Sequence, residues 1–388
     1  MGGNYGKRGA DVVDEKEIML DKVRGCLFGG AVGDALGYPV EFQSAEQIRM
    51  QYGENGIQDY ELACHKACIS DDTQMTLFTA NGLLVGFTRL CLRGVMGKWQ
   101  DYIWMAYKDW LMTQDKKQQT NHLYVKSWLL NVKELHQRRA PGRTCLSALR
   151  GSECGSVEYP INSSKGCGGV MRVAPVGLYL PKHIKEIRKV DQIGAEAAAL
   201  THGHPLGYIP AAALTHIIAR CVFSPGSMDM DQIVEEAIKI TAEIYQDNGY
   251  RKKFTAIMEK AVWLAHQDRG DWEAIREIGE GWVAEETLAI AVYCAVKYQN
   301  DFAKAVTVSV NHDGDSDSTG AVTGNIMGAY LGIKGIPEKY IQPLEIKEVI
   351  EEIAVDLFED CKMSECGEYR DEKWVEKYCT GNYRIYLE

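Results

Sequence analysis

Residues 311–320 read Asn-His-Asp-Gly-Asp-Ser-Asp-Ser-Thr-Gly, which sets Asp313, Asp315 and Asp317 two residues apart with hydroxyls at Ser316, Ser318 and Thr319. Carboxylates this close repel one another unless a cation or hydrogen-bond donors neutralise them. Carboxylate and hydroxyl oxygens are also the ligands that hard divalent cations take. An EF-hand loop would need Gly at its sixth position and Glu at its twelfth. Counted from Asp313, those positions hold Ser318 and Gly324, so that loop is excluded. A plainer alternative stays open, because Asp and Ser ahead of a helix are favoured caps and acids there suit the helix dipole.

A second acidic cluster, Ser70-Asp71-Asp72-Thr73-Gln74-Met75, leads into an apolar run ending near Leu92. Alone it reads as a well-capped helix. Joined to Asp315 and Asp317, it becomes half of an all-oxygen site in which four carboxylates and two hydroxyls can hold two Mg²⁺-class ions. A glycine-rich stretch, Ser163-Ser164-Lys165-Gly166-Cys167-Gly168-Gly169, can present backbone N–H groups to a phosphate, although it is not a Walker loop. His202 and His204 stand in a Gly/Pro break, where they are expected to be more exposed than core histidines. Cys64-His65-Lys66-Ala67-Cys68 lacks a second recognisable ligand pair and is not read as a zinc site.

The elements that must carry these residues read as helices. From Glu15 to Gly37 apolar positions recur at helical spacing, with Gly25, Gly29, Gly33 and Gly37 on one stripe and Asp34 and Glu41 toward its end. Gly320, Gly324, Gly328 and Gly332 repeat the device behind the acidic cluster. Glycine costs about 1 kcal/mol against alanine within a helix, so two such stripes imply close approach, to each other or to a shared neighbour. Helical patterns also cover 95–150, where Trp99, Trp104 and Trp110 read as core, and an Ala-rich segment ending at Leu200. A new helix is expected near Pro210, and others at 229–246, 251–267, 285–298 and after Glu345. Phe302 to Val310 is ambiguous between helix and strand because of its β-branched run.

A net charge of −11 argues against nucleic acid as a stable partner. Twelve scattered cysteines, no N-terminal apolar signal and no run read as membrane-spanning lead to the expectation of a cytoplasmic protein with reduced thiols and no membrane partner. The chain opens with polar residues expected to be loose.

Four segments, in order, resemble the ADP-ribosylglycohydrolase family: Gly25–Glu41, Ser70–Met75, Gly166–Pro175 and Asn311–Gly328, with His202 a fifth point. The resemblance covers residues 19 to 335. It implies an all-α fold, a single multi-helix domain over 19–345 with a central binuclear metal cleft; outside the resemblance, the residues themselves read as a polar extension at 1–18 and a C-terminal helix and tail at 346–388 packed on the same domain. Carried across by motif, the metal ligands would be Ser70, Asp71, Asp72, Asp315, Asp317 and Ser318, holding two Mg²⁺ with Mn²⁺ as the alternative. Thr319 is a substitute for Ser318, and Asp313 a supporting or turn-forming residue. Gly166, Cys167, Gly168 and Gly169 would cradle the diphosphate, and His202 would contact the distal part of ADP-ribose. Glu41, Asp71 and Asp72 would be the catalytic carboxylates, with base and acid not assigned among them.

The expected activity is Mg²⁺-dependent removal of ADP-ribose from a modified acceptor through an oxocarbenium-like state. The GDSDST wording resembles that of arginine-directed members more than those acting on serine or acetyl-ADP-ribose, so N-linked ADP-ribosyl-arginine on protein is favoured, with a small ADP-ribosyl conjugate as the alternative. The competing expectations are a non-catalytic ADP-ribose-binding protein and a partner that neutralises an ADP-ribosyltransferase toxin.

Overall fold

The two glycine stripes face each other. A methyl group on Gly33 would overlap the carbonyl oxygen of Gly320, one on Gly29 that of Gly324, and one on Gly25 that of Gly328. The contacts run in opposite directions along the two helices, so the pair is antiparallel and its backbones touch where side chains would normally intervene. This contact joins the first long helix to the one that begins in the acidic loop.

The computed structural model describes residues 7–115, 125–385 and 387, with side chains from residue 15 onward. The described residues form helices α1 (Lys7–Gly37), α2 (Ala45–Tyr52), α3 (Asp71–Arg93), α4 (Trp99–Gln114), α5 (Arg143–Arg150) and α6 (Ala174–Tyr179). There follow α7 (Ile187–Ala199), α8 (Pro205–Phe223), α9 (Met230–Ile244), α10 (Arg251–Ala265), α11 (Asp271–Ile278) and α12 (Ala284–Lys297). The chain continues through α13 (Phe302–Val310), α14 (Ser316–Leu331), α15 (Glu338–Ile341), α16 (Lys347–Glu359) and α17 (Glu372–Val375). The fold is all-α. Among the described residues one small sheet pairs Leu62–Ala63 with Lys66–Ala67, and Cys64 and His65 make the turn between them with φ of 51° and 66°. That is the left-handed geometry a two-residue hairpin demands, and it accounts for the Cys-His-Lys-Ala-Cys stretch without a metal.

Several boundaries differ from the sequence reading. Helix α1 begins at Lys7, earlier than the expected Glu15, within a stretch expected to be loose. Residues 95–150 are not continuously helical: among the described ones, α4 and α5 are separated by 3₁₀ turns at Trp128–Asn131 and Lys133–His136. Helix α8 begins at Pro205, not near Pro210, because proline suits the first helical position and His204 Nδ1 accepts from the Leu206 N–H at 3.0 Å. The ambiguous 302–310 segment is a helix, started by Asp301 accepting from Lys304 N–H at 3.0 Å.

Helices α3 and α8, at 23 and 19 residues, are long and apolar enough to cross a bilayer, where the sequence reading expected no such run. In this fold 72% and 89% of their apolar windows lie buried inside the protein. A helix apolar all round is what the centre of a large bundle requires.

The C-terminal segment is tied down by charge. Lys377, only 2% exposed, meets Asp356 Oδ2 at 2.6 Å, and the Tyr378 hydroxyl donates to the same oxygen. Asp360, just after α16, accepts from Tyr179 Oη at 2.6 Å and lies 3.2 Å from Lys182 Nζ and 3.0 Å from His183 Nε2. Burial works against its charge, but the His183 and Lys182 contacts outweigh that and hold the carboxyl below its ordinary range. A depressed folded-state value contributes stability above the unfolded value and loses it as pH falls through the folded one. Asp360→Asn keeps a residue that tolerates the local φ of 67°. It is expected to cost about 1 kcal/mol at neutral pH, and progressively less below about pH 4. Urea unfolding at the two pH values measures this, and an equal cost at both would refute it.

Candidate active site

The first acidic cluster is held from two sides. Asp34, on α1 and fully buried, accepts from Ser70 N–H at 2.9 Å, from Thr73 N–H at 3.0 Å and from the Thr73 hydroxyl at 2.5 Å. A carboxylate is thereby set against the N-terminus of α3, where the backbone dipole favours it. Just ahead, Ile69 N–H donates to Glu345 Oε1 at 2.8 Å, while Arg139 pairs with Glu345 and donates to Ile69 O at 2.9 Å. Glu345 lies beyond the stretch covered by the family resemblance, and neither it nor Arg139 was singled out from the sequence.

The second cluster is the N-terminus of α14. Asp315 N–H donates to Glu280 O at 2.9 Å, and Ser318 N–H is shared between Asp315 Oδ1 at 3.3 Å and Asp317 Oδ1 at 2.9 Å. Asp313 turns away and accepts from Ala45 N–H at 2.8 Å, at the first turn of α2. Thr319 is no substitute for Ser318. Its fully buried hydroxyl is taken up by Ser309 O at 2.7 Å, Asp315 O at 2.8 Å and His312 Nε2 at 2.8 Å.

The two clusters meet in one cleft of about 720 Å³, lined by Glu41, Asp71, Asp72, Asp315, Asp317 and Ser318 among others. Ser70 stands just behind its wall, with Oγ 3.4 Å from Asp72 Oδ2. A larger hollow of about 830 Å³ around Arg49, Trp272 and Arg276 takes in Asp313 but none of the carboxylates that line the smaller cleft. Burial, then the Asp317 charge, pushes the Asp71 and Asp72 carboxyls well above the usual range. Burial and Asp315 do the same to Asp317. Glu41 is pushed up to about 11 by burial and by Asp317, Asp315 and Asp71, and Asp34 to about 7 by burial and Asp317.

Such a site is short of positive charge. Asp72 Oδ1 is buried with no hydrogen-bond partner, which is costly unless an ion or ligand meets it. The donor set, carboxylates with Ser70 and Ser318 hydroxyls, suits a hard cation. Among the described residues no group of three or more His, Cys, Asp and Glu side chains by itself forms a site that could hold a metal ion. Hydroxyls, water or substrate oxygens would therefore have to complete each shell.

The glycine loop forms the facing wall. Gly166, Cys167 and Gly168 line the cleft, whereas Gly169 packs under α7 and α8, where a methyl group would meet Gly207 O at 3.1 Å and Ala198 Cβ at 3.2 Å. Cys167 N–H donates to Trp282 O at 3.2 Å and its thiol to Asp315 Oδ2 at 2.8 Å, so this residue faces the acidic cluster and its N–H is not free for a phosphate. His202 lines the cleft but is only 2% exposed, against the expectation of an exposed histidine. Burial, then the Arg172 charge, lowers it to about 3, so it is neutral at physiological pH. His204 is the more open of the two and packs on Tyr250 at 4.5 Å between ring centroids.

Other residues of the cleft were not read from the sequence. Phe42, with φ of 68°, stacks on Trp282 at 5.3 Å beside Glu41. Arg138 and Arg143 bring exposed cations to the cleft lining of a protein that is acidic overall. Arg172, behind the loop, is fully buried. A motif search could have flagged Arg172, which sits within Gly166–Pro175; nothing in the sequence links Phe42 to Trp282.

This fold and this cleft define a member of the ADP-ribosylglycohydrolase family: that family's model matches residues 15–366, and the chain belongs to it. It is accordingly an enzyme, a hydrolase of glycosidic bonds that removes ADP-ribose. The chain is similar to the ADP-ribosyl-[dinitrogen reductase] glycohydrolase of Rhodospirillum rubrum, at 26% identity over 84% of this chain and 91% of that protein. It is similar to ADP-ribosylhydrolase ARH3 of Bos taurus at 23% identity over 87% and 92%. Among solved structures, a chain of an ADP-ribosylglycohydrolase-related protein complex has the same fold, with a TM-score of 0.59 and 22% identity over 88% of this chain and 99% of that one.

Proposed function

We propose that the protein is a Mg²⁺-dependent hydrolase that releases ADP-ribose from N-linked ADP-ribosyl-arginine on protein, reversing mono-ADP-ribosylation. The observation that carries this is the meeting of two acid-rich helix N-termini, from distant parts of the chain, in one cleft with Glu41 at its side. Ser70, Asp71, Asp72, Asp315, Asp317 and Ser318 would hold two Mg²⁺, or Mn²⁺ in their stead. Bound there, the ions would supply Lewis-acid stabilisation and a more acidic water.

The side chains divide the remaining work. Gly166 and Gly168 leave room beside His202 for the diphosphate-bearing part of the ligand, with Arg138 and Arg143 as nearby cations. Water adds to ribose C1″ as the bond from C1″ to the acceptor nitrogen breaks, and that electron pair leaves with the nitrogen. A carboxylate takes the proton from the water and a proton returns to the departing nitrogen. Asp71 accepts from Gly142 N–H at 3.1 Å and one oxygen of Asp72 from the Ser70 hydroxyl at 3.4 Å, whereas neither oxygen of the Glu41 carboxylate has a hydrogen bond among the described residues. That freedom supports Glu41 as the group that moves the proton, with Asp71 and Asp72 alongside it. A carboxylate-lined cleft suits a guanidinium leaving group, which supports arginine, and the similarity to a relative named for ADP-ribosyl-dinitrogen reductase supports a protein acceptor. All twelve cysteines are free thiols, which supports a reducing compartment such as the cytoplasm.

The test is a panel of defined conjugates, ADP-ribosyl-arginine and ADP-ribosyl-serine proteins and small ADP-ribosyl conjugates, incubated with Mg²⁺ and with EDTA. The expected result is fastest release from the arginine conjugate, abolished by EDTA and restored by Mg²⁺. Faster release from another linkage would overturn the arginine reading, and EDTA-resistant release the metal reading. Inhibition of an ADP-ribosyltransferase by an inactive metal-ligand variant would instead support the transferase-partner role, for which no feature of the cleft speaks.

A further inference from the structure

Arg172 is a fully buried guanidinium with no carboxylate partner among the described residues. It rests on the Tyr107 ring at 4.2 Å, and Nη1 lies 3.5 Å from Met75 Sδ and 3.4 Å from Cys145 Sγ. Nη2 reaches Ala197 O at 3.3 Å and Thr201 Oγ1 at 2.6 Å, while Nε is unpartnered. Thr201 Oγ1 is in turn 2.8 Å from His202 Nδ1. An ion this deep is costly without compensation, and its shortest contact is the one that leads to the cleft.

Donor and acceptor rules fix the first of these contacts and rank the choices for the second. A guanidinium only donates, so Thr201 Oγ1 is the acceptor toward Arg172. The hydroxyl then has one proton to give, and His202 Nδ1 is the one nitrogen or oxygen acceptor recorded for it; the nearby Cys145 sulfur is a weak one. An Nδ1 that accepts carries no proton. With the threonine proton donated to Nδ1 in preference to the weaker Cys145 sulfur, the neutral ring holds its proton on Nε2, and that edge faces Gly166 and Gly168, where a Cβ on either would come within 3.5 Å of Nε2.

We propose that Arg172, acting through Thr201, is a positioning residue that locks His202 in its Nε2–H tautomer, so that the glycine wall of the cleft offers a fixed, neutral N–H donor to an anionic diphosphate. This rests on the reading that the Gly166–Gly168 wall receives the diphosphate. Without the lock, Nε2 would spend part of its time as a lone pair facing that anion, which repels rather than binds.

The tautomer is read directly from long-range ¹H–¹⁵N spectra of ¹⁵N-histidine-labelled full-length protein, with His202→Gln identifying the signal. The wild type is expected to show a protonated Nε2 and an unprotonated Nδ1 without any ligand. Because replacing a core arginine can prevent folding, the decisive variants are at Thr201. Thr201→Val keeps the shape and removes the hydroxyl, and it should give a mixed or Nδ1–H signal, weaken ADP-ribose binding about 5- to 10-fold by calorimetry and raise KM with little change in kcat. Thr201→Ser should restore both tautomer and affinity to within about twofold of wild type. An Nδ1–H signal in the wild type, or an unchanged signal in Thr201→Val, overturns the lock. A wild type that shows the Nε2–H signal but does not bind ADP-ribose overturns the reading of the glycine wall and leaves the lock standing.

Discussion

Asp317→Asn is expected to lower ADP-ribose release by about three orders of magnitude, while leaving the protein in EDTA at least as stable as wild type. Asp317 is the carboxylate whose charge bears on Glu41, Asp34, Asp71 and Asp72 alike. Removing it relieves a repulsion that the fold otherwise tolerates for the sake of the site, the usual trade between stability and activity. The amide is nearly isosteric, so α14 and its contacts should persist. Melting curves in EDTA and in Mg²⁺ make the test independent of turnover. Wild type should gain stability from Mg²⁺, as any ligand that binds only the folded state confers, and Asp317→Asn should gain little. Wild-type release by the variant, or an undiminished Mg²⁺ effect, would sink the ion-binding reading of this cleft.

Gly324→Ala is the second large effect. Its added methyl group would overlap the Gly29 carbonyl oxygen, backbone against backbone, where no rotamer change can relieve the clash. Overpacking of this kind costs about 3 kcal/mol. Because α14 begins in the acidic loop, separating α14 from α1 also shifts Asp315 and Asp317 relative to α3, so release of ADP-ribose should fall with stability. Gly249→Ala, which faces open space, is the control and should be near neutral. Denaturant unfolding of the two variants checks this, and a Gly324→Ala protein as stable as wild type would mean that the two helices can part freely.

Much of the site was legible because its residue types are rarely combined without cause. Ser70-Asp71-Asp72 and Asp315-Ser316-Asp317-Ser318 read as either caps or ligands; Ser70 caps α3 and Asp315 caps α14, and the acids beside them line the cleft where ligands would have to stand. The helix at 230–244, which Asp229 caps, and the uncapped one at 251–265 both fall within two residues of their expected ends. The failures lie where one local signal served two masters. Pro210 looked like a helix start and sits inside α8, because burial of that helix outweighs one lost backbone bond. Gly169 and Cys167 looked like parts of a phosphate cradle, yet one is a packing glycine and the other donates to Trp282 and Asp315.

The chain by itself determined which residues can ligate, cap or approach closely, because those properties belong to side chains and to their spacing along a helix. It fixed that two glycine stripes need a close neighbour, but not that each is the other's. The antiparallel register of α1 on α14, the burial of His202, the pairing of Phe42 with Trp282 and the path from Arg172 through Thr201 to the cleft were decided only by the tertiary structure. Such contacts join residues far apart in the chain. Their geometry follows from the whole core packing at once, and no local pattern of letters records that.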